Sequence, residues 1–202
     1  MLSDVFARVG GPNNPKEQQM TTDVMVKINN GNVIYDNSWL WRADHDMTGL
    51  VYSSMNPVQT GLEVNGDDVI AYGLASEHTL GNLVEWNGNN GHVYFYQSEY
   101  PYDVTQENYA NQGFVSYKVG DSVTSHHGFG IGVYSYFRDH QVEMQSGIVA
   151  PVKDSVSFIN AVTVFLSGNG QIDHVIDTTG NMSSWRDRVA FVCQFDASSI
   201  LE

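Results

Sequence analysis

Three short segments of the chain combine carboxylates with aromatic rings and imidazoles: Trp39-Leu40-Trp41-Arg42-Ala43-Asp44-His45-Asp46, Ala75-Ser76-Glu77-His78, and Tyr96-Gln97-Ser98-Glu99-Tyr100-Pro101-Tyr102-Asp103. Two carboxylates that share a site cannot both ionise freely, so one of them is held protonated near neutral pH and can act as a general acid. Trp and Tyr offer apolar faces on which the C–H faces of a sugar ring pack, while the sugar hydroxyls need carboxylates, amides and guanidinium groups as partners. The mixture therefore describes a carbohydrate site. Any one of these acids alone reads equally well as a solvated surface group. The recurrence of acid and aromatic in three segments is what favours a site. Trp39 and Trp41, two residues apart in a strand, fall on the same face.

The elements that would position these segments are short and turn-bounded. Asn-Gly recurs at 30–31, 65–66, 87–88, 90–91 and 169–170, and each pair is expected to supply the positive φ of a tight turn. Between the turns lie runs rich in Val, Ile, Tyr and Phe, at 32–41, 69–74, 92–97, 114–119, 131–137, 156–166 and 189–195, which read as strands. No window keeps the apolar period of a helix. Aligning Asn32-Val33-Ile34-Tyr35 with Asp68-Val69-Ile70-Ala71-Tyr72 and His92-Val93-Tyr94-Phe95-Tyr96 gives a frame that returns about once per rung, at intervals within the period expected of a solenoid. In that frame Asp44, Glu77 and Glu99 follow the frame valines by 11, 8 and 6 residues (44−33, 77−69, 99−93), so stacked coils would bring all three to one face. The predicted fold is all-β, a right-handed parallel β-helix of the pectin-lyase-like kind, incomplete or of half length. A β-sandwich with hairpins of similar length is the rival.

Composition narrows the function further. The 202 residues carry a formal charge of −14 from 9 Lys+Arg and 23 Asp+Glu, which repels nucleic acid and anionic membranes. The longest apolar stretch, near Ala161 to Leu166, is far short of the roughly 20 residues that cross a bilayer. Cys193 is the single cysteine, so it forms no internal disulfide; in the apolar run 189–195 it is expected to be buried and inert. His126-His127 with Asp139 and His140 lacks metal-ligand spacing, and Gly128, Gly130 and Gly132 precede no helix; no metal and no cofactor is expected. The chain reads as one domain, 1–202, with a loop excursion at about 10–20 and an irregular tail at about 196–202. It opens on a strand, Asp4 to Val9, with no capping helix before it. Such an end is expected to meet a preceding β-helix domain or a second copy of the chain.

With these motifs in view the chain resembles the C-terminal β-helix region of the exo-β-1,3-glucanases of glycoside hydrolase family 55. It is similar also to a group of secreted proteins labelled coagulation factor 5/8 type domain-containing or adenylyl cyclase. The resemblance runs from about Val5 to Asn181 and is carried by the segments 39–45, 72–78 and 97–102. It implies an extracellular protein acting on a β-glucan-like polysaccharide by inverting hydrolysis. Glu99 is then the general acid, Glu77 and Asp44 are its acidic neighbours, and Gln97 contacts sugar or water. Trp41, Tyr100, Tyr102, His45 and His78 complete the expected substrate contacts. Because those glucanases build their cleft from two tandem β-helices, the resemblance also implies that this chain holds part of a cleft. Two other functions fit the same residues: a non-catalytic glycan-binding or structural solenoid, and a polysaccharide lyase, for which only Arg42 and Arg138 are placed to serve as the base.

Overall fold

A computed structural model describes residues 1–10, 20–46, 49–52 and 55–197. The expected excursion near 10–20 and tail near 196–202 lie almost wholly outside these residues. The strands are β1 (Leu2–Val9), β2 (Thr22–Ile28), β3 (Ile34–Arg42), β4 (His45–Asp46), β5 (Gly49–Leu50), β6 (Val58–Val64) and β7 (Ile70–Glu77). They continue as β8 (Val84–Trp86), β9 (Gly91–Glu99), β10 (Tyr117–Val119), β11 (Ser125–Val149), β12 (Ser155–Ile176) and β13 (Val189–Phe195). The described helical content is one short 3-10 turn, Ala110–Gln112.

The fold is a right-handed parallel β-helix of about five turns. One parallel stack runs β1, β3, β7, β9, then the first halves of β11 and β12. A second stack runs β2, β6, β8, β10, then the far end of β11. Each coil thus contributes one strand to each stack, and β11 and β12 bend through both. The core forms as inward residues meet their equivalents one coil on: Leu74 opposite Tyr96 opposite Ile131 opposite Ala161, all buried. Inward serines bond backbone carbonyls, Ser76 donating to Leu83 within its coil and Ser98 to Gly132 on the next coil. At the far end β13 pairs antiparallel with β12. It buries Ala190, Val192 and Phe195 and leaves the alternate residues outside, so Cys193 is exposed rather than buried as the sequence predicted.

Two corners of the coil show why the turns carry the residues they do. At one, Gly31, Gly66 and Gly88 recur one per coil. None has positive φ, contrary to the expectation for Asn-Gly pairs there. A Cβ on Gly88 would lie 1.9 Å from the Gly66 carbonyl oxygen, and one on Gly66 would lie 2.1 Å from that of Asn30, so glycine is demanded by the approach of neighbouring coils. The left-handed residues are instead Asn32, Asp68 and Asn90. The asparagines form a ladder, Asn87 donating to Asn65 at 3.0 Å and Asn65 to Asn29 at 2.9 Å. At the other corner every coil of the first stack bends at one left-handed residue skipped by the register: Asp4, Asn37, Gly73, Phe95, Gly130 and Asn160.

The register also corrects the repeat frame. Tyr35 pairs with Ala71 and Ala71 with Val93, so the fourth coil is offset by two residues from the sequence alignment. Because side chains alternate with period two, the slip leaves every residue on its assigned face.

Candidate active site

Beyond the left-handed corner, β3, β7 and β9 run on in register. Trp39 lies opposite Ala75 and Gln97, and Trp41 lies opposite Glu77 and Glu99. Glu77 and Glu99 are therefore direct neighbours on adjacent coils, whose backbones are about 4.8 Å apart. The Trp39 indole N–H donates to Glu77 Oε2 at 2.9 Å, and the Tyr102 hydroxyl donates to Glu99 Oε2. Gln97 bonds Glu77 from the same row as Trp39.

Burial pushes the Glu77 carboxyl up to about 7, the negative charges of Glu99 and Asp44 add to the rise, and the bonds from Trp39 and Gln97 oppose it. Desolvation disfavours the charged form and a neighbouring like charge does so again. Tyr102 is raised well beyond the ordinary phenol range, first by burial and then by its bond to Glu99, so it stays a donor. The negative charges of Glu99, Asp44 and Glu77 add to that rise. Burial beside a like charge thus holds Glu77 protonated toward neutral pH.

Glu77 and Gln97 open onto a surface cavity of about 420 Å³ that Phe6, Asn37, Trp39 and Gly73 also line. Trp39 is 41% exposed and stacks between Phe6, at 5.0 Å, and Trp41, at 5.2 Å. A slightly larger cavity of about 460 Å³ lies among Gln59, Leu80, Val104, Asn108, Gln112 and Phe114; it has no acid or base in its lining, so chemistry rather than size selects the first.

Other predicted contacts fall differently. Trp41 is buried beneath Trp39, with the Arg8 guanidinium 4.6 Å from its ring centre. Asp44 follows β3 and pairs with His45 at 3.2 Å; His45 is exposed on the β4–β5 hairpin. Two residues are not available to substrate. Tyr100 is fully buried, its hydroxyl donating to the Ser146 carbonyl and accepting from the Ser116 N–H, because it is an inward position of its coil. His78 is buried too, its Nδ1 3.3 Å from the Tyr100 carbonyl oxygen and its ring against Tyr102. Burial lowers it to about 4, which keeps it neutral.

Behind the acids, Arg42 and Asp103 form a buried ion pair, and Arg42 also donates to the carbonyls of Met55, Tyr52 and His78. This guanidinium fastens the segments flanking the site and pairs with none of the three acids. Arg138 is bound to Asp139. Both bases required by the lyase reading are thus engaged in ion pairs. His126 is buried against the Tyr117 hydroxyl and His127 bonds Ser157. No cluster of three or more metal-ligating side chains occurs among the described residues.

Comparison with known proteins places this arrangement. The family model described as the LAM55 pectate lyase-like domain matches residues 1–99, the stretch that ends on Glu99. The exo-beta-1,3-glucanase of Streptomyces sp. (strain SirexAA-E / ActE) is 41% identical over 188 residues, which is 91% of this chain and 30% of that protein. The chain is similar to the β-helix region of the family 55 glucanases. The solved structure of Lam55A from Streptomyces sp. SirexAA-E, 37% identical, superposes on this chain with a TM-score of 0.85 over 94% of this chain and 34% of that one. A glutamate-to-alanine variant of the same protein in complex with glucose gives a TM-score of 0.87 with the same coverage. The chain spans about a third of the length of these relatives.

Proposed function

We propose that this region supplies the acid-bearing wall of a glycoside hydrolase cleft, and that it acts on an extracellular β-glucan-like polysaccharide. The observation that carries the reading is the register pairing of Glu77 with Glu99 beside an exposed tryptophan. In a sugar site the pair acts as one unit holding one proton near neutral pH. Glu77, buried and bonded to Trp39, retains that proton at rest. Glu99 is half-buried, two residues beyond the cavity-lining Gln97 on β9; as the bond breaks, Glu77 hands its proton to Glu99, which donates it to the glycosidic oxygen and leaves both carboxylates ionised. Tyr102 orients the Glu99 carboxyl, and Asp44 or a group outside this chain holds the attacking water. Trp39 and Gln97 bind the ring above Glu77. The relatives support this reading through their exo-β-1,3-glucanase activity and bound glucose.

A second reading, a non-catalytic glycan-binding wall, is favoured by the exposed Trp39 that lines the cavity. Incubation with a β-1,3-glucan hexasaccharide separates the two, with products followed by NMR of the anomeric protons. Hydrolysis predicts new reducing ends that first appear in the inverted configuration and are abolished by Glu99→Gln. Saturable binding with no product, in wild type and Glu99→Gln alike, would replace catalysis with binding.

A further inference from the structure

The left-handed corner row holds one residue that does not suit its backbone. Five of its six positions are Gly, Asn or Asp, residues that tolerate positive φ. The sixth is Phe95, at φ 66°. A bulky side chain there costs free energy that the surrounding fold must carry. Nothing in the packing recovers that cost, because Phe95 is 66% exposed and its ring pairs with no other ring among the described residues. Its neighbours Tyr94 and Tyr96 are both engaged: Tyr94 is stacked between Tyr72 and Phe129, and Tyr96 is buried.

The positions beside Phe95 leave it open on both sides. The register places Gly73 next to it on the preceding coil and Gly130 on the following one. A Cβ at Gly130 would meet nothing within 4 Å, and one at Gly73 only the Asn37 Cα at 3.8 Å. No side chain therefore flanks Phe95 from either neighbouring coil position, and the residue is largely exposed. Gly73 also lines the cavity that holds Glu77, Trp39 and Gln97, so Phe95 adjoins one residue of the cavity wall across the coils and precedes another, Gln97, by two positions.

We infer that Phe95 is a sugar-stacking platform forming a further binding subsite at the cavity rim, occupied by a glucosyl unit of the same glucan chain that enters the cavity. A lone exposed ring, flanked by glycines on both neighbouring coils and adjoining the wall of the acid-lined cavity, matches an amphipathic sugar ring. The inference rests on the carbohydrate reading of the cavity and extends it by one subsite.

The test is Phe95→Gly, which restores the residue type that its row neighbours carry. Binding of a β-1,3-glucan disaccharide and hexasaccharide is measured by calorimetry, with thermal unfolding in parallel. Relief of the left-handed strain should raise the melting temperature by about 2–4 °C. Hexasaccharide affinity should fall roughly three- to tenfold, disaccharide affinity should not change, and Phe95→Tyr should retain both. Equal hexasaccharide affinity in wild type and Phe95→Gly would overturn the Phe95 subsite and leave the cavity reading standing. Failure of the wild type to bind either oligosaccharide would overturn both.

Discussion

The strands β7 and β9 carry two outward rows on either side of one bend, and the two rows obey opposite rules. Before the bend Tyr72, Tyr94 and Phe129 stack ring on ring, with centres 5.2 and 4.9 Å apart and nearly parallel planes. After it, Glu77 and Glu99 occupy the equivalent of the same row and are also neighbours at coil spacing. Stacking like on like is favourable for aromatic rings and amides, which gain contacts from a repeat of themselves. For carboxylates it is costly, since each copy raises the proton affinity of the next. The aromatic row covers its own faces and so offers a sugar little, whereas the acidic row raises the proton affinity of Glu77 and opens through it onto the cavity. A β-helix ladder that stabilises itself is scaffold; one that opposes itself marks chemistry.

The largest expected effect comes from easing the acidic row. Glu77→Gln keeps an acceptor for the Trp39 N–H but removes the titrating group, and should cut turnover of a β-1,3-glucan by about 10²-fold or more. The same change tests the stability linkage. The folded-state Glu77 value, about 7, lies above the ordinary glutamate value of 4.5, so its favourable contribution is full below 4.5 and is lost as pH rises through 7. Glu77→Gln should therefore gain on the order of 2 kcal/mol relative to wild type between pH 5 and pH 8, read from denaturant unfolding at the two pH values.

A smaller effect is expected from the self-satisfied row. Tyr94→Ala interrupts both stacks and should destabilise by about 1–3 kcal/mol in chemical denaturation, with kcat for a short oligosaccharide unchanged. A loss of turnover matching that of Glu77→Gln would erase the distinction between the rows. The smallest effect belongs to the bend that separates them: Gly73→Ala, at φ 60° with open space around the new Cβ, should cost about 1 kcal/mol.

The architecture was legible in the sequence because its cause is local. Turn residues at coil intervals and Val-rich runs between them leave few folds other than a stacked solenoid. The register was less legible: a frame built on valines cannot show that Glu77 and Glu99 are directly opposed, since coils of unequal length hide equivalence. Exposure was harder still. Tyr100 and Tyr102 sit in one short segment, yet the first enters the core and the second meets Glu99, a difference set by where the chain leaves β9. The glycines of the Asn-Gly pairs were assigned to positive φ, when the demand at Gly66 and Gly88 arises from a carbonyl on the next coil, a contact that no local pattern records. Several strands of the second stack, β2, β6 and β8, escaped notice because they are short or broken by polar residues.

The central claim is that Glu77, buried beside Glu99, holds a proton near neutral pH. Carbon-13 NMR of the glutamate carboxyls, titrated in wild type and in Glu99→Gln, tests it directly. The account predicts a Glu77 midpoint near 7 in the wild type, moving down but remaining above the ordinary glutamate range in Glu99→Gln, because burial persists when the neighbouring charge is gone. A Glu77 midpoint near 4.5 in the wild type, unmoved by Glu99→Gln, would contradict it.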